Sequence, residues 1–188
     1  MSTMTAAPRA AIGTPWQIDP AHSSVEFAVR HLVISTVRGR FGTVSGTLSG
    51  LDGADAQPTL EVNIDAASID TGNAQRDEHL RSADFFDVAT FPTLTFRSRR
   101  VEGSTEGDFT VVGDLTMHGV TREVALHAER QGETVDPWGN ERVGFSATAK
   151  VKRSDFGLTW NQVLETGGVM VGEDVKIILD VALVRPTA

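Results

Sequence analysis

Apolar and polar residues alternate along most of this 188-residue chain with the period of two that is typical of β-strands. Val25, Phe27 and Val29 begin the pattern, and polar or glycine-rich turns separate its later segments. The pattern returns at residues 60–65, 94–96, 124–128, 145–151 and 175–183. An all-β fold with at least seven or eight short antiparallel strands is therefore expected.

An antiparallel eight-stranded barrel is the simplest arrangement of such strands, because closure removes the edges at which an open sheet would pair with its neighbours. A β-sandwich is the competing fold. The segment FGTVSGTL, residues 41–48, has two glycines among β-forming residues, which predicts one long, strongly coiled strand rather than a break.

A single stretch, at about residues 73–82, predicts a helix, and only short helical turns are expected elsewhere. Asn73 can act as its N-cap, and Arg81 lies near its C-terminal end, where the helix dipole favours cations. Phe85 and Phe86 follow directly. The helix is therefore expected to bring adjacent aromatic rings onto the sheet and to close one end of a barrel or cap a pocket inside it.

Composition limits the classes of function. The length predicts one domain over residues 16–184, between a disordered N-terminal tail at 1–15 and a C-terminal tail at 185–188. Cysteine is absent, which excludes disulfides and thiol chemistry. A net charge of −8 disfavours nucleic acids and anionic membranes as partners, and no apolar run is long enough for a transmembrane segment.

Four long blocks of the sequence also resemble a known family. They read IDPAHSSVEFAVRHLVISTVRGRFG, DEHLRSADFFDVATFPTLTF, GDLTMHGVTREVAL and DPWGNERVGFSATAKVKRSDFGL. Together they resemble the YceI-like polyisoprenoid-binding family over residues 16–184. The resemblance implies an extended lipocalin-like barrel whose hydrophobic tunnel takes up an isoprenoid chain or a similar amphiphile, such as a polyprenyl phosphate, a quinone or a quinone precursor.

Many members of that family are periplasmic and carry a signal peptide. Residues 1–15 do not resemble one, so we expect a cytoplasmic protein that stores, shuttles or sequesters a lipid. We expect no cofactor beyond this lipid, and a homodimer.

Inward-facing aliphatic and aromatic side chains should form the tunnel, with small residues on the strands leaving space between them. The ordinary alternative is a filled core. The predicted wall comprises Phe27, Val29, Leu32, Phe41, Val62, Ile64, Phe85, Phe86, Leu94, Phe96, Leu115, Phe145, Phe156 and Trp160.

Polar residues near a mouth of the barrel could bind the head group of the lipid, since arginine can hold a phosphate through two hydrogen bonds. The alternatives are solvated surface charges and a polar network that docks the helix to the barrel. The candidates are Arg38, Arg40, Arg76, His79 and Asp155. The apolar loop at 159–174, with paired Gly167 and Gly168, is expected to act as a lid or as a dimer contact.

Sequence motifs of enzymes are missing. The five histidines show no metal-binding spacing, and the chain has no P-loop and no GxSxG motif, so we expect neither a metal site nor catalysis. A hydrolase that uses His79, Asp77 and Ser82 on an amphiphile is the alternative from another class. A structural dimer module with a filled core is the weaker third reading.

Overall fold

The computed structural model of the protein describes residues 13–52, 57–165 and 167–186. Within these ranges the chain is almost entirely antiparallel β-structure, with one α-helix and three short 3-10 turns. The strands are β1 (Trp16–Ile18), β2 (Ser24–His31), β3 (Ser35–Phe41), β4 (Val44–Ser49), β5 (Thr59–Asp65), β6 (Ile69–Asp70), β7 (Thr93–Gly103), β8 (Asp108–Met117), β9 (Val120–Val135), β10 (Glu141–Lys152) and β11 (Val171–Arg185). The helix α1 spans Ala74–Arg81, and the 3-10 turns span Pro20–His22, Ala66–Ser68 and Arg153–Phe156.

The sheet closes into the predicted eight-stranded barrel. Strands β4, β5, β7, β8, β9, β10 and β11 pair in that order, and β1 completes the ring by pairing with both β4 and β11. Gln17 lies opposite Val184 on one side and Thr47 on the other. Strand β2 pairs with the N-terminal part of β11, ahead of the two residues that pair with β1. Strand β3 pairs with β2, and β6 pairs with β3, so these strands extend the sheet beyond the ring.

The segment at 41–48 is two strands rather than one, which corrects the prediction. Strand β3 ends at Phe41 and β4 begins at Val44. The backbone N–H of Gly42 leaves the ladder and donates to the carbonyl of Ser68 (3.1 Å). The break allows β3 to pair with β2 and β6 while β4 pairs with β1 and β5.

The helix has the predicted position and cap. The side chain of Asn73 accepts the backbone N–H of Arg76 at 2.9 Å, so Asn73 is the N-cap. Arg81 donates to the carbonyls of Ala67 (2.8 Å) and Ile69 (2.7 Å) and so fastens the helix to the barrel.

The two ends of the barrel differ in how they are covered. We call the end that carries α1 the helix end; it also carries the β2–β3 turn at 32–34, the β8–β9 turn at 118–119 and the segment 153–165. The opposite end, with the β7–β8 and β9–β10 turns, is the base.

Candidate functional site

An apolar cavity of about 260 Å³ runs inside the barrel. Leu51 and Pro58 line it near the base, and Leu80 and Phe86 line it at the helix end. Almost no polar atom faces it, and its few polar lining residues are Ser23, Glu26, Thr105 and Arg153. The inner faces of the strands thus leave an elongated space that their own side chains do not fill.

Glycines beneath two aromatic rings help to shape this space. A Cβ at position 39 would stand 2.4 Å from Cζ of Phe27, and one at position 113 would stand 2.6 Å from Cζ of Phe96. Because Gly39 and Gly113 carry no side chain, both rings lie close against the barrel wall instead of projecting further into the cavity.

Most of the predicted tunnel residues line the cavity. They are Phe27, Val29, Phe41, Val62, Ile64, Phe85, Phe86, Leu94, Phe96, Leu115 and Phe145. Contact with a ligand stays a prediction for each of them.

Three predicted tunnel residues lie elsewhere. Leu32 lies in the β2–β3 turn, with a φ of 52°, and is therefore not part of the barrel wall. Phe156 belongs to the 3-10 turn after β10 and is fully buried in the core at the helix end. Trp160 packs outside the cavity against His79 and Phe85, with ring centroids 4.7 and 5.2 Å away.

None of the five candidate head-group residues lines the cavity. Arg38 is exposed on β3, and Asp155 is exposed in the turn after β10. Arg40 pairs with Asp70 at 3.3 Å.

The other two head-group candidates hold the helix region together. Arg76 donates to the hydroxyl (2.7 Å) and the carbonyl (2.9 Å) of Thr71. Nε2–H of His79 donates to Asp84 at 2.8 Å, while its ring meets Phe85 and Trp160 edge to face. These contacts match the alternative reading of a polar network that docks helix to barrel.

Arg153 is the buried cation that fastens the segment after β10. It is only 5 % exposed. Its guanidinium donates to the carbonyls of Leu158 (2.6 Å), Trp160 (2.9 Å) and Gly172 (2.9 Å), and more weakly to that of Val171 (3.4 Å). Burial lowers the pKa of Arg153, and the nearby Glu173 carboxylate opposes that shift. One charged side chain thus joins both ends of the segment that was predicted to be a lid.

Ion pairs fasten the base. Arg142 donates to Asp19 (2.6 Å) and Asp136 (2.8 Å), and so links the start of the barrel to the β9–β10 turn. The hydrogen bond from Arg142, and to a smaller extent the one from His22, lowers the pKa of Asp19 to about 2. Burial raises the pKa of Asp136, but hydrogen bonds from Arg142 and Asn140 outweigh it, and the resulting pKa is about 2.

A second buried arginine reinforces the base. Arg185 bonds to Glu141 at 2.6 and 2.8 Å and also to Asp52, and its guanidinium lies 4.3 Å from the centre of the Trp16 ring. Strand β11 therefore extends to the buried Arg185, which the sequence had suggested to be the start of a tail.

Comparison with known proteins identifies the family to which this chain belongs. The sequence model of the YceI-like domain family matches residues 16–183. The chain belongs to the YceI-like family. It is similar to a UPF0312 protein of Vibrio vulnificus (strain YJ016), with 41 % identity over 160 residues that cover 84 % of this chain and 85 % of that protein. A UPF0312 protein of Vibrio cholerae (strain N16961) is 39 % identical over the same coverage.

Solved structures share the YceI-like fold. The YCEI protein of Campylobacter jejuni is 32 % identical, with a TM-score of 0.70 over 84 % of this chain and 90 % of that one. BcnA of Burkholderia cenocepacia has a TM-score of 0.75 at 23 % identity, covering 88 % and 98 % of the two chains. A polyisoprenoid binding domain from Saccharophagus degradans has a TM-score of 0.68 at 17 % identity, covering 91 % and 98 %. The last two likenesses establish the fold alone.

The side chains proposed for a hydrolase make other bonds in this YceI-like chain. His79 bonds to Asp84, whereas Asp77 is buried and accepts the backbone N–H of Thr71 at 2.9 Å. The hydroxyl of Ser82 donates to the carbonyl of His79 at 2.7 Å. These bonds cap and anchor the helix instead of joining a nucleophile to a base.

The described residues contain no group of three or more His, Cys, Asp or Glu side chains placed to hold a metal ion. Across the same ranges, no helix has both the length and the apolar character needed to cross a membrane.

Arg153 is the residue that the sequence prediction missed. It lies at the start of the 3-10 turn after β10, and its burial was not predicted. Its position continues the inward face of β10, because Ala149 and Val151 point inward and Arg153 follows with the same parity. The period of two thus carried a signal that a cation is buried here.

Proposed function

We propose that this YceI-like chain is a non-enzymatic binding protein that takes up the hydrocarbon chain of a polyisoprenoid, or of a similar long-chain amphiphile, in its barrel. The observation that supports the proposal most is the continuous apolar cavity, which extends from Leu51 and Pro58 at the base to Leu80 and Phe86 at the helix end. The polyisoprenoid-binding description of one protein with the same fold is consistent with it.

The chemistry of the wall limits which part of a ligand is enclosed. Since almost no polar atom faces the cavity, a buried head group would lose its hydration without gaining hydrogen bonds, which costs several kcal/mol. The enclosed part is therefore hydrocarbon, and the head group stays at a mouth of the barrel. A quinone, a polyprenyl phosphate and a fatty amide all meet this requirement.

Chain length controls affinity in such a site. Burial of each CH₂ contributes about 0.8 kcal/mol, so three or four isoprene units give on the order of 12–16 kcal/mol before the costs of association. Those costs remove roughly 4–15 kcal/mol. Affinity should therefore rise with each added isoprene unit until the cavity is full, and it should change less with the head group.

The direct test is to extract protein purified from its host with organic solvent and to identify the lipid by mass spectrometry. The expected result is a long-chain amphiphile in a fixed ratio to protein. Lipid-free protein that also fails to bind polyprenyl phosphates, quinones and fatty amides of graded length would overturn the proposal.

Two variants of one strand separate specific uptake from adsorption. Ala147 lines the cavity, whereas its neighbour Thr148 is exposed. Ala147→Phe should fill part of the cavity and weaken binding of the longer chains first. Thr148→Phe adds the same ring to the outside and should leave binding unchanged. Equal binding by both variants would show that the ligand does not occupy the barrel.

A further inference from the structure

An exposed apolar patch lies at the helix end of the barrel. Val33 and Ile34, in the β2–β3 turn, are 67 % and 83 % exposed. Val163 and Val169, which form a β-bridge with each other in the segment before β11, are 79 % and 42 % exposed. We call these four side chains the tip patch. Aliphatic side chains so exposed and so close together mark a surface that contacts something apolar.

Backbone bonds hold the two halves of the patch together. The N–H of Leu32 donates to the carbonyl of Met170 at 2.8 Å, and His31 pairs with Val171. Val171 also lines the cavity. The tip patch is thus attached directly to the wall of the binding site.

The turn that carries the patch has an unfavourable backbone. Leu32 and Val33 have φ values of 52° and 65°, in the left-handed region that glycine and asparagine adopt most readily. A β-branched valine at such a φ is an outlier. The turn therefore combines a strained backbone with exposed apolar side chains, and such strain is concentrated at functional sites.

Basic side chains form two rows on the outer face of the barrel behind the tip patch. Arg38, Lys176 and Lys150 share one row, because Arg38 and Lys176 both lie opposite Ala28, and Lys176 lies opposite Lys150. Arg30 and Lys152 lie one row nearer the tip. All five are exposed. At about 3.3 Å per residue along a strand, the rows lie roughly 7 and 13 Å behind Ile34.

Acidic side chains reduce this positive charge without covering it. Asp174 pairs with Lys150 at 2.7 Å, and Glu173 accepts the backbone N–H of Ser154. Asp155 and Glu165 are exposed in the segment after β10. Arg30, Arg38, Lys152 and Lys176 form no ion pair with the described residues.

The base differs in that its arginines are paired with carboxylates. Its exposed apolar side chains are Trp138, at 81 %, and Val135. Arg100 pairs with Glu102 at 2.8 Å, and Arg130 pairs with Glu106 (2.7 Å) and Glu133 (2.6 Å). Although the net charge of the chain is −8, the tip patch lies in front of cations that form no ion pair with the described residues, whereas Arg100 and Arg130 near the base are paired.

We propose that the tip patch and the basic rows dock this chain onto the surface of an anionic lipid bilayer. The apolar side chains enter the interface, and the arginines and lysines behind them meet anionic head groups. A second copy of the chain fits less well, because four aliphatic side chains offer far less than the roughly 800 Å² that each partner of a stable dimer buries. Docking would bring the wall of the cavity next to the lipid from which a water-insoluble chain must be taken.

The test is cosedimentation of the full-length protein with vesicles of phosphatidylcholine alone or mixed with phosphatidylglycerol. The protein should bind the mixed vesicles better, and added salt should weaken that binding. Val33→Ser combined with Ile34→Ser should lower partitioning into both kinds of vesicle by about tenfold or more. Arg38→Gln combined with Lys176→Gln should lower binding to mixed vesicles about fivefold per charge and leave phosphatidylcholine binding unchanged.

Trp138→Ser is the matched control, because it removes an exposed apolar side chain from the base. It should bind like the unaltered protein. Circular dichroism checks that every variant is folded. Loss of binding in Trp138→Ser but not in the tip variant would overturn the proposal, as would failure of the unaltered protein to bind either kind of vesicle.

Analytical ultracentrifugation tests the other possible occupant of the tip patch, a second copy of the chain. A tip variant that turns a dimer into a monomer, with vesicle binding unchanged, would assign the patch to self-association instead. No added ligand is needed in these assays, so their failure would not count against lipid uptake by the barrel.

Discussion

Replacing Arg153 with methionine should loosen the segment after β10 without unfolding the barrel. Arg153 donates hydrogen bonds of 2.6–2.9 Å to the carbonyls of Leu158, Trp160 and Gly172. Hydrogen bonds that involve a charged group contribute about 1.5–3 kcal/mol each, against a desolvation cost of several kcal/mol for the buried guanidinium. A net loss of about 3 kcal/mol is expected, which corresponds to roughly a hundredfold increase in local opening. Methionine is chosen because it keeps most of the apolar volume.

Native-state hydrogen exchange measures this effect directly. Peptides that cover residues 157–165 and 167–174 should exchange roughly a hundredfold faster in the variant, while peptides from β8 and β9 should change little. Exchange of a bound lipid should accelerate along with them if this segment controls entry.

The matched control is Arg99→Met, which removes an exposed arginine that pairs with Asp114 at 2.8 Å. Exposed pairs of this kind contribute only about 0–1 kcal/mol, so the exchange pattern should not change. If exchange at 157–174 were the same in Arg153→Met as in the unaltered protein, Arg153 would not be what fastens the segment. Uniformly faster exchange over the whole barrel would instead make it a general core residue.

Three further predictions follow from the contacts. Gly39→Ala places a Cβ 2.4 Å from the Phe27 ring and should drive that ring into the cavity. A long fluorescent fatty acid should then bind more weakly, while the circular dichroism spectrum stays the same. Unchanged affinity would contradict the close approach. Asn73→Ala removes the helix N-cap and should lower the free energy of unfolding in urea by about 1 kcal/mol, whereas Asn73→Ser should restore most of it. Because Arg142 lowers the pKa of Asp19 to about 2, their interaction stabilises the protein above about pH 4 and is lost as the pH falls towards 2. The stability difference between the unaltered protein and Arg142→Met should therefore shrink over that range, and a difference independent of pH would contradict the assignment.

The regular parts of the fold could be predicted from the sequence because they depend on local periodicity. The alternation around Phe27 marks the face of β2 that lines the cavity, and the cap at Asn73 fixes where α1 begins. Closure of the barrel also followed, since many short strands with one helix leave few other ways to cover the edges.

The polar side chains were harder to place because their partners are distant in sequence. Arg38 and Arg40 alternate with Phe41, which lines the cavity, so strand parity alone puts both arginines outside. No local pattern predicts that His79 meets Trp160, because the segment that contains Trp160 has no period. Arg153 shows the converse case: strand parity indicates an inward position, although arginine side chains are usually exposed.

The pairing of the first strand with the last has a consequence for how the molecule is made. Gln17 lies opposite Val184, so every strand from β1 to β11 must be synthesised before the ring can close, and the apolar faces of the earlier hairpins stay exposed until then. The same proximity makes a circular permutant feasible. A short linker could join the region after Arg185 to the region before Trp16, with new termini opened in the β7–β8 turn at 104–107. In such a permutant the strands that now meet last would be synthesised as neighbours.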